Sequence, residues 1–526
     1  MSEDETPSIS YLLDSNTPPK PCPNQSKSLL SKVESASSRE VLGHIFTFLH
    51  PYEHEEKVRN AVGRADFVSL RLSRVCKLWR EATLVTHELW TGLKIRPRHT
   101  LESLESVEAW FSRAGSLPRR LQYEGWTLGD GGRFDDPYCS CEDLDSGPKL
   151  LPCLLAVSAL PQLLTNGPRL DHLTLMCANT ACFGHFLDAM DTLRQGPTTP
   201  ASRPWDTLRS LSVKFRDTML QPDSQLGQII VSHLERLPIV DSLEVHLPSS
   251  WSAFAPNFDT SHLEVKILPN LIERLTTFYI SCTWSGPHLL KLLPHCCNVE
   301  TLTINFGNDG NPLRDMGDHP LVQQYSASPF ILPKLRTLCT RLAQDLRLLH
   351  LFQAPQLVNL DIGMIPTTEK ASEDDFSSPI TSLLERSGTA QSLRTFQLRA
   401  CFIDAGQLFS IISNLTGLTT LTLDNVKVEM DRLWKMFKDR DAAAQQWHDL
   451  SFPNLEKLEI LQLPHGCQLE PIVDYIKERG PSLKFQLITS YKIPEIREHR
   501  VLSEEDVRQT LQFSLSGVRA SIVPSV

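Results

Sequence analysis

One six-residue pattern, apolar-x-x-apolar-x-apolar, recurs from residue 170 onward and limits the folds open to this chain. It appears as LDHLTL (170–175), LRSLSV (208–213), VDSLEV (240–245), LTTFYI (275–280) and VETLTI (299–304). It continues as LRTLCT (335–340), LVNLDI (357–362), LRTFQL (393–398), LTTLTL (418–423) and LEKLEI (455–460), with LKFQLI (483–488) as a weaker copy. The alternation in the second half of each unit predicts a strand with one buried face, and the leading apolar residue turns the chain into the same interior. Helical periodicity lies between units, at 224–237, 378–388, 406–415, 430–447 and 469–480. Strands that alternate with helices predict a parallel sheet, because each crossover returns the chain to the same end. Leucine supplies the pattern: 80 of 526 residues, about 15% (80/526). A chain this long exceeds one compact core, a limit that a stack of repeats avoids.

The pattern is similar to the leucine-rich repeat signature L-x-x-L-x-L. Successive starts lie 38, 32, 35, 24, 36, 22, 36, 25 and 37 residues apart; all but 24, 22 and 25 exceed the usual ~20–29, so several units carry insertions. Of the Asn/Cys positions in the signature, Cys401 fits, while Ile365, Val426 and Leu463 occupy the equivalent places. The expected fold is therefore α/β: an irregular leucine-rich repeat solenoid over 166–500, with parallel strands on the concave side and helices on the convex side. Third and fifth positions of each unit point to the concave side, and the third read His172, Ser210, Ser242, Thr277, Thr301, Thr337, Asn359, Thr395, Thr420 and Lys457. Thr301, Thr337, Asn359, Thr395 and Thr420 are the candidate contacts for a protein target. Threonine also simply suits an exposed strand position, and that reading stands beside the first. Arg and Lys ladders, which a phosphate-reading surface needs, are not expected here.

The first hundred residues differ. Residues 1–36 are rich in Ser, Pro and Asn and read as a flexible leader. SSREVLGHIFTFL (37–49) starts with a capping serine and Glu40 in the first turn, and its apolar residues recur at helical spacing. A charged stretch (50–66) precedes FVSLRLSRVCKLWREATLVTHELWTGLKI (67–95), where Leu72, Val75, Cys76 and Trp79 share a helical face. So much apolar surface in about 60 residues exceeds what a small core hides. It predicts either packing on the rest of the chain or a partner site.

EVLGHIF..L followed by LSRVCKLWREAT....ELW resembles the F-box motif, with Glu40, Leu42, Ile45, Phe46, Leu49, Val75, Cys76, Trp79 and Trp90 in register. The layout is similar to F-box proteins abundant in basidiomycete fungi. The resemblance implies a short all-α domain over 37–95 that docks on a Skp-type adaptor, and through it on a cullin. It implies that those nine residues dock or support the docking surface; the sequence does not separate the two roles. Ser37-Ser38-Arg39 stands where the family has Leu-Pro before the Glu.

The remaining readings are mostly exclusions. Formal net charge is −10, which opposes phosphate attraction, so no nucleic-acid partner is expected. No apolar run reaches the ~20 residues of a membrane span, and no basic start leads into an apolar stretch. The 13 scattered cysteines suit free thiols in a cytoplasmic or nuclear protein. Residues 96–165 read as a connecting segment with an acidic loop, in which Cys139 and Cys141 lack a second ligand pair. His288, His295, Cys296 and Cys297 read as part of a repeat helix rather than a metal site. Phosphate-loop, dinucleotide, nucleophile-elbow and HExxH motifs are absent, so neither cofactor nor catalysis is expected. Residues 501–526 read as a capping helix and tail. The expected function is the substrate-recognition subunit of an SCF-type ubiquitin ligase, non-enzymatic and holding an unknown target on its repeats. The alternatives are a repeat scaffold with a degenerate F-box and a hydrolase or transferase hidden in the repeats.

Overall fold

The computed structural model describes residues 41–46, 68–95, 104–124, 154–157, 159–177, 180–194, 203–215, 233–248, 265–284, 286–307, 316–365, 377–443, 452–463, 471–472, 474–475, 486–491 and 520–522. The chain divides into two compact units. The first comprises Met1–Thr218 with Asp223–Pro248, and the second Ser249–Val526 with Met219–Pro222. The class is α/β, built on parallel strands joined by helical crossovers.

In the first unit a helix over 41–46 and the helices Val68–Ser73 and Lys77–Val85 precede a 3-10 turn, His87–Trp90. Five parallel strands follow in sequence order: β1 (Gly92–Ile95), β2 (Arg120–Glu124), β3 (His172–Cys177), β4 (Ser210–Phe215) and β5 (Ser242–His246). Helices Leu104–Ser112, Ala159–Asn166 and Thr180–Arg194 lie between them in the chain.

The second unit continues with β6 (Thr277–Ser281), β7 (Thr301–Asn305), β8 (Phe330–Ile331), β9 (Thr337–Ala343), β10 (Phe352–Gln353) and β11 (Asn359–Met364). It ends with β12 (Thr395–Arg399), β13 (Thr420–Asp424), β14 (Lys457–Leu463), β15 (Gln486–Tyr491) and β16 (Ala520–Ile522). Its sheet runs β6-β7-β9-β11-β12-β13-β14-β15-β16, all parallel, while β8 and β10 form a separate pair. Helices Ser377–Ser387, Ala405–Ser413 and Met430–Ala443 fill the crossovers after β11, β12 and β13.

The strands are where the repeats place them. All ten third positions, from His172 to Lys457, open a strand. Within each unit they pair in register, as in Thr277↔Thr301 and Thr420↔Lys457. Leading residues such as Leu170, Leu275, Leu335, Leu357, Leu393 and Leu418 are all 0% exposed. Before most of these strands one carbonyl accepts two amides from the next: Arg336 O takes Val358 N–H and Asn359 N–H, both at 2.9 Å, and Val358 O takes Arg394 and Thr395. This shared acceptor holds the register where one face alternates buried and half-exposed, as in β6, β7 and β12.

Four expectations need correction. Residues 37–95 are not wholly helical, because Gly92–Ile95 forms β1. Trp90-x-x-Leu93-x-Ile95 is itself a repeat unit, with Trp90 only 1% exposed in the leading position. The connecting segment 96–165 contributes β2 to the same sheet: Leu121 and Tyr123 are buried, while the leading position holds the exposed Pro118. The weak copy at 483–488 is one residue out of register, since Leu487 sits opposite Leu458 and is buried. Of the expected C-terminal helix, the described part is strand β16, paired with β15; the rest lies outside the described residues. So do the leader 1–36, Cys139, Cys141 and most of the expected helices 224–237 and 469–480. Residues 233–236 are a 3-10 turn.

Candidate functional sites

Two surfaces carry the sequence candidates. The first is the helical start of the first unit. Phe46 (0% exposed) meets the half-buried Trp79 at 4.9 Å between ring centroids, which joins the 41–46 helix to helix Lys77–Val85. Gly43 makes the approach possible: a Cβ there would lie 2.6 Å from Thr86 Oγ1. That hydroxyl donates to Ala82 O at 2.7 Å. Cys76 caps helix Lys77–Val85 in an extended conformation, and Arg80 Nε donates back to Ser73 O at 3.1 Å, which ties this helix to Val68–Ser73.

Trp90 closes the module from below. Its Nε1 donates to Thr83 O at 2.8 Å, its ring meets Trp110 edge-on at 4.8 Å, and Arg113 sits over it at 4.6 Å. Burial holds the Arg113 guanidinium below its ordinary range. Trp110 Nε1 donates to Gly92 O at 3.1 Å, so this aromatic pair fastens the helices to β1.

The geometry separates two groups that the sequence left together. Phe46 and Trp90 are packing supports. Ile45 and Val75 are 49% and 54% exposed, as are Val41 (56%), Leu84 (42%) and Val85 (61%). Leu42 and Cys76 are half-buried. Glu40 and Leu49 lie outside the described residues. Of the nine large apolar side chains exposed among the described residues, these five come from 45 consecutive positions. The F-box-like family model matches residues 39–96. This segment is an F-box-like domain. No curated protein matches the chain significantly.

The second surface is the half-exposed sheet face of the second unit. The five candidate target contacts stand side by side: Thr301 beside Thr337, Thr337 beside Asn359, Asn359 beside Thr395, and Thr395 beside Thr420. Asn359 Nδ2 donates to Thr337 Oγ1 at 3.1 Å. Two and four residues further along, the face carries charge at Asp361 and at Arg341, Arg399 and Asp424. Arg341 grips Asp361 with both arms at 2.9 Å, and Arg399 approaches the same carboxylate at 3.3–3.4 Å. Arg399 Nη1 lies 3.9 Å from Asp424, which also accepts from Gln462 at 3.0 Å. Burial raises the Asp424 carboxyl, against the pull of Arg399. Gly363 gives Arg341 room, because a Cβ there would lie 3.1 Å from Thr340 O and 3.6 Å from Arg341 Cδ.

Sequence reasoning stopped at the fifth position and so missed Arg341, Arg399 and Asp424 at the seventh. Continuing the period-two alternation by one step finds them. Left-handed residues follow directly after a seventh position: Ala400 and Asn425 stand just past the ends of β12 and β13, while Leu342 and Gln462 lie within β9 and β14. The first unit carries a similar row: Lys94 meets Glu124 at 2.6 Å, and Glu244 meets Lys214 at 2.9 Å and His246 at 2.5 Å.

The thiols of Cys282, Cys296 and Cys401 are pushed up to about 12, first of all by burial, so they stay protonated at neutral pH. Among the described residues no cluster of His, Cys, Asp and Glu could hold a metal. His288 is buried against Trp284, ring to ring at 5.6 Å. No described helix is long and apolar enough to cross a membrane.

Proposed function

We propose that this protein is the substrate receptor of an SCF-type ubiquitin ligase. In this reading the F-box-like domain docks on a Skp-type adaptor, and the repeats, a leucine-rich array like that of the basidiomycete proteins, hold a protein target. The observation that carries it is the cluster of exposed Val41, Ile45, Val75, Leu84 and Val85 inside the family-matched segment, on a scaffold held rigid by Phe46–Trp79 and Trp90–Trp110. Domains of this family generally bind Skp-type adaptors. The receptor performs no catalysis in this scheme. It raises the effective concentration of a target beside a ubiquitin-loaded enzyme on the cullin arm, in the cytoplasm or nucleus. Leu42, Ile45 and Val75 make the contact, while Phe46, Trp79 and Trp90 support it. The test is co-purification of the full chain with the adaptor. A stable complex is the expected result; a folded chain that leaves the adaptor free favours a repeat scaffold whose F-box lost its Leu-Pro contact at Ser37-Ser38.

A further inference from the structure

The charged row on the second unit's sheet face is incompletely bonded in one place. Arg341 Nη2 donates to Asp361 Oδ2 at 2.9 Å, while Asp361 Oδ1, 2.9 Å from Nη1 and 3.3 Å from Arg399 Nε, accepts no hydrogen bond from either. Arg399 does not share equally: its Nε lies 3.3 Å from Asp361 Oδ1 but out of line for a hydrogen bond, and its one bond to that residue, from Nη2, is 3.4 Å long. Its Nη1 faces Asp424 Oδ2 across 3.9 Å, beyond bonding reach. A guanidinium with spare donors therefore stands beside a carboxylate with a spare acceptor, at side-chain exposures of 32% and 16%. The cluster of two arginines and two aspartates carries no net charge, so it does not select for an acidic or a basic partner. A group that accepts at one atom and donates at its neighbour completes both. An amide has that form: its oxygen takes Arg399 N–H and its nitrogen gives to Asp424, at ~2.9 Å each.

The flanking row, Thr337, Asn359, Thr395 and Thr420, is uncharged, and within it Asn359 Nδ2 donates to Thr337 Oγ1 at 3.1 Å. We propose that the face of β9, β11, β12 and β13 binds an extended, uncharged, amide-bearing polypeptide segment, with an Asn or Gln side-chain amide seated between Arg399 and Asp424. This deepens the reading of that face as the target surface and rests on it.

The experiment probes the full-length protein on arrays of immobilised peptides in four classes: Asn/Gln-rich, Asp/Glu-rich, Lys/Arg-rich and phosphoserine-containing. The amide class is expected to bind best, with little change between roughly 50 and 500 mM salt. Arg399→Leu and Asp424→Leu should each lower that binding about tenfold or more while thermal unfolding stays cooperative. If either variant fails to fold, Arg399→Lys and Asp424→Asn, which keep volume and polarity, replace it with the same expected loss. Preference for acidic or phosphorylated peptides, preference for basic ones, or binding by no class overturns the proposal. Adaptor co-purification on the same sample is read separately. Peptide selectivity without adaptor binding sinks only the ligase reading, and adaptor binding without peptide selectivity sinks only this one.

Discussion

Replacing Ile45 and Val75 together by serine should cost adaptor affinity and leave the fold intact. Full burial of an Ile or Val side chain is worth ~1.5–3 kcal/mol. Ile45 is 49% and Val75 54% exposed in the free chain, so about half of that remains to be gained on docking. The pair thus contributes about 1.5–3 kcal/mol, or a roughly 10- to 150-fold weaker dissociation constant in the double variant. Stability should change by no more than ~0.5 kcal/mol per site, because neither side chain packs in the core. Phe46→Ala is the contrast: this ring is 0% exposed against Trp79, and its loss should destabilise the domain by ~3–5 kcal/mol. Titration calorimetry with a Skp-type adaptor reads the first effect. Urea unfolding followed by tryptophan fluorescence reads the second, since Trp79, Trp90 and Trp110 all sit in or beside the domain. The reasoning fails if the double serine variant binds within twofold of the parent, or if it unfolds as readily as Phe46→Ala.

Three further outcomes follow from the same geometry. Trp90→Phe keeps a ring but removes the indole bond to the Thr83 carbonyl, which still accepts Thr86 N–H at 3.3 Å, and should lower stability by ~0.5–1.5 kcal/mol in urea unfolding. Gly43→Ala should separate the 41–46 helix from Thr86, seen as greater exposure of Trp79 to an acrylamide quencher. Burial works to raise Glu244, but the bond from His246 and the charge of Lys214 outweigh it and hold the carboxyl at about 2 against an ordinary 4.5. A depressed carboxylate stabilises the fold fully above about 4.5, and that contribution is lost as pH falls through about 2. The gap is worth at most ~3.4 kcal/mol, and screening at a side chain 31% exposed brings it to about 1–2 kcal/mol. Glu244→Gln should therefore flatten the acid limb of a pH–stability curve; an unchanged limb refutes the assignment.

The parts of the fold legible in the sequence were those where burial alone selects the residue. A strand with one wet face needs apolar side chains two apart, and ten such strands announce themselves through leucine. β2 escaped because its leading position holds the exposed Pro118, so only Leu121 and Tyr123 carry the pattern. β1 escaped because its leading residue, Trp90, fits two patterns at once. At the candidate sites the residue types were legible but their division of labour was not. Ile45 and Phe46 are adjacent in sequence and alike in chemistry, yet one faces outward and the other is sealed against Trp79. Which of two neighbouring helical residues is covered depends on the partner helix, and Gly43 decides that approach through contact with a residue 43 positions away. Arg399 and Asp424 were hidden differently: they lie past the last leucine of their units, where the repeat no longer marks the chain.

Trp90 has a consequence for anyone recombining these parts. One indole serves both as the last residue of the F-box motif and as the first inward residue of the sheet, and it leans on Trp110 and Arg113 from the next helix. A chimera joined after Ile95, where the family match ends within one residue, would carry Trp90 away from two of its three supports and open the first strand to solvent. A junction beyond Glu124 keeps the indole, its aromatic neighbour and two strands together. The exchangeable cassette is thus longer than the motif that defines it.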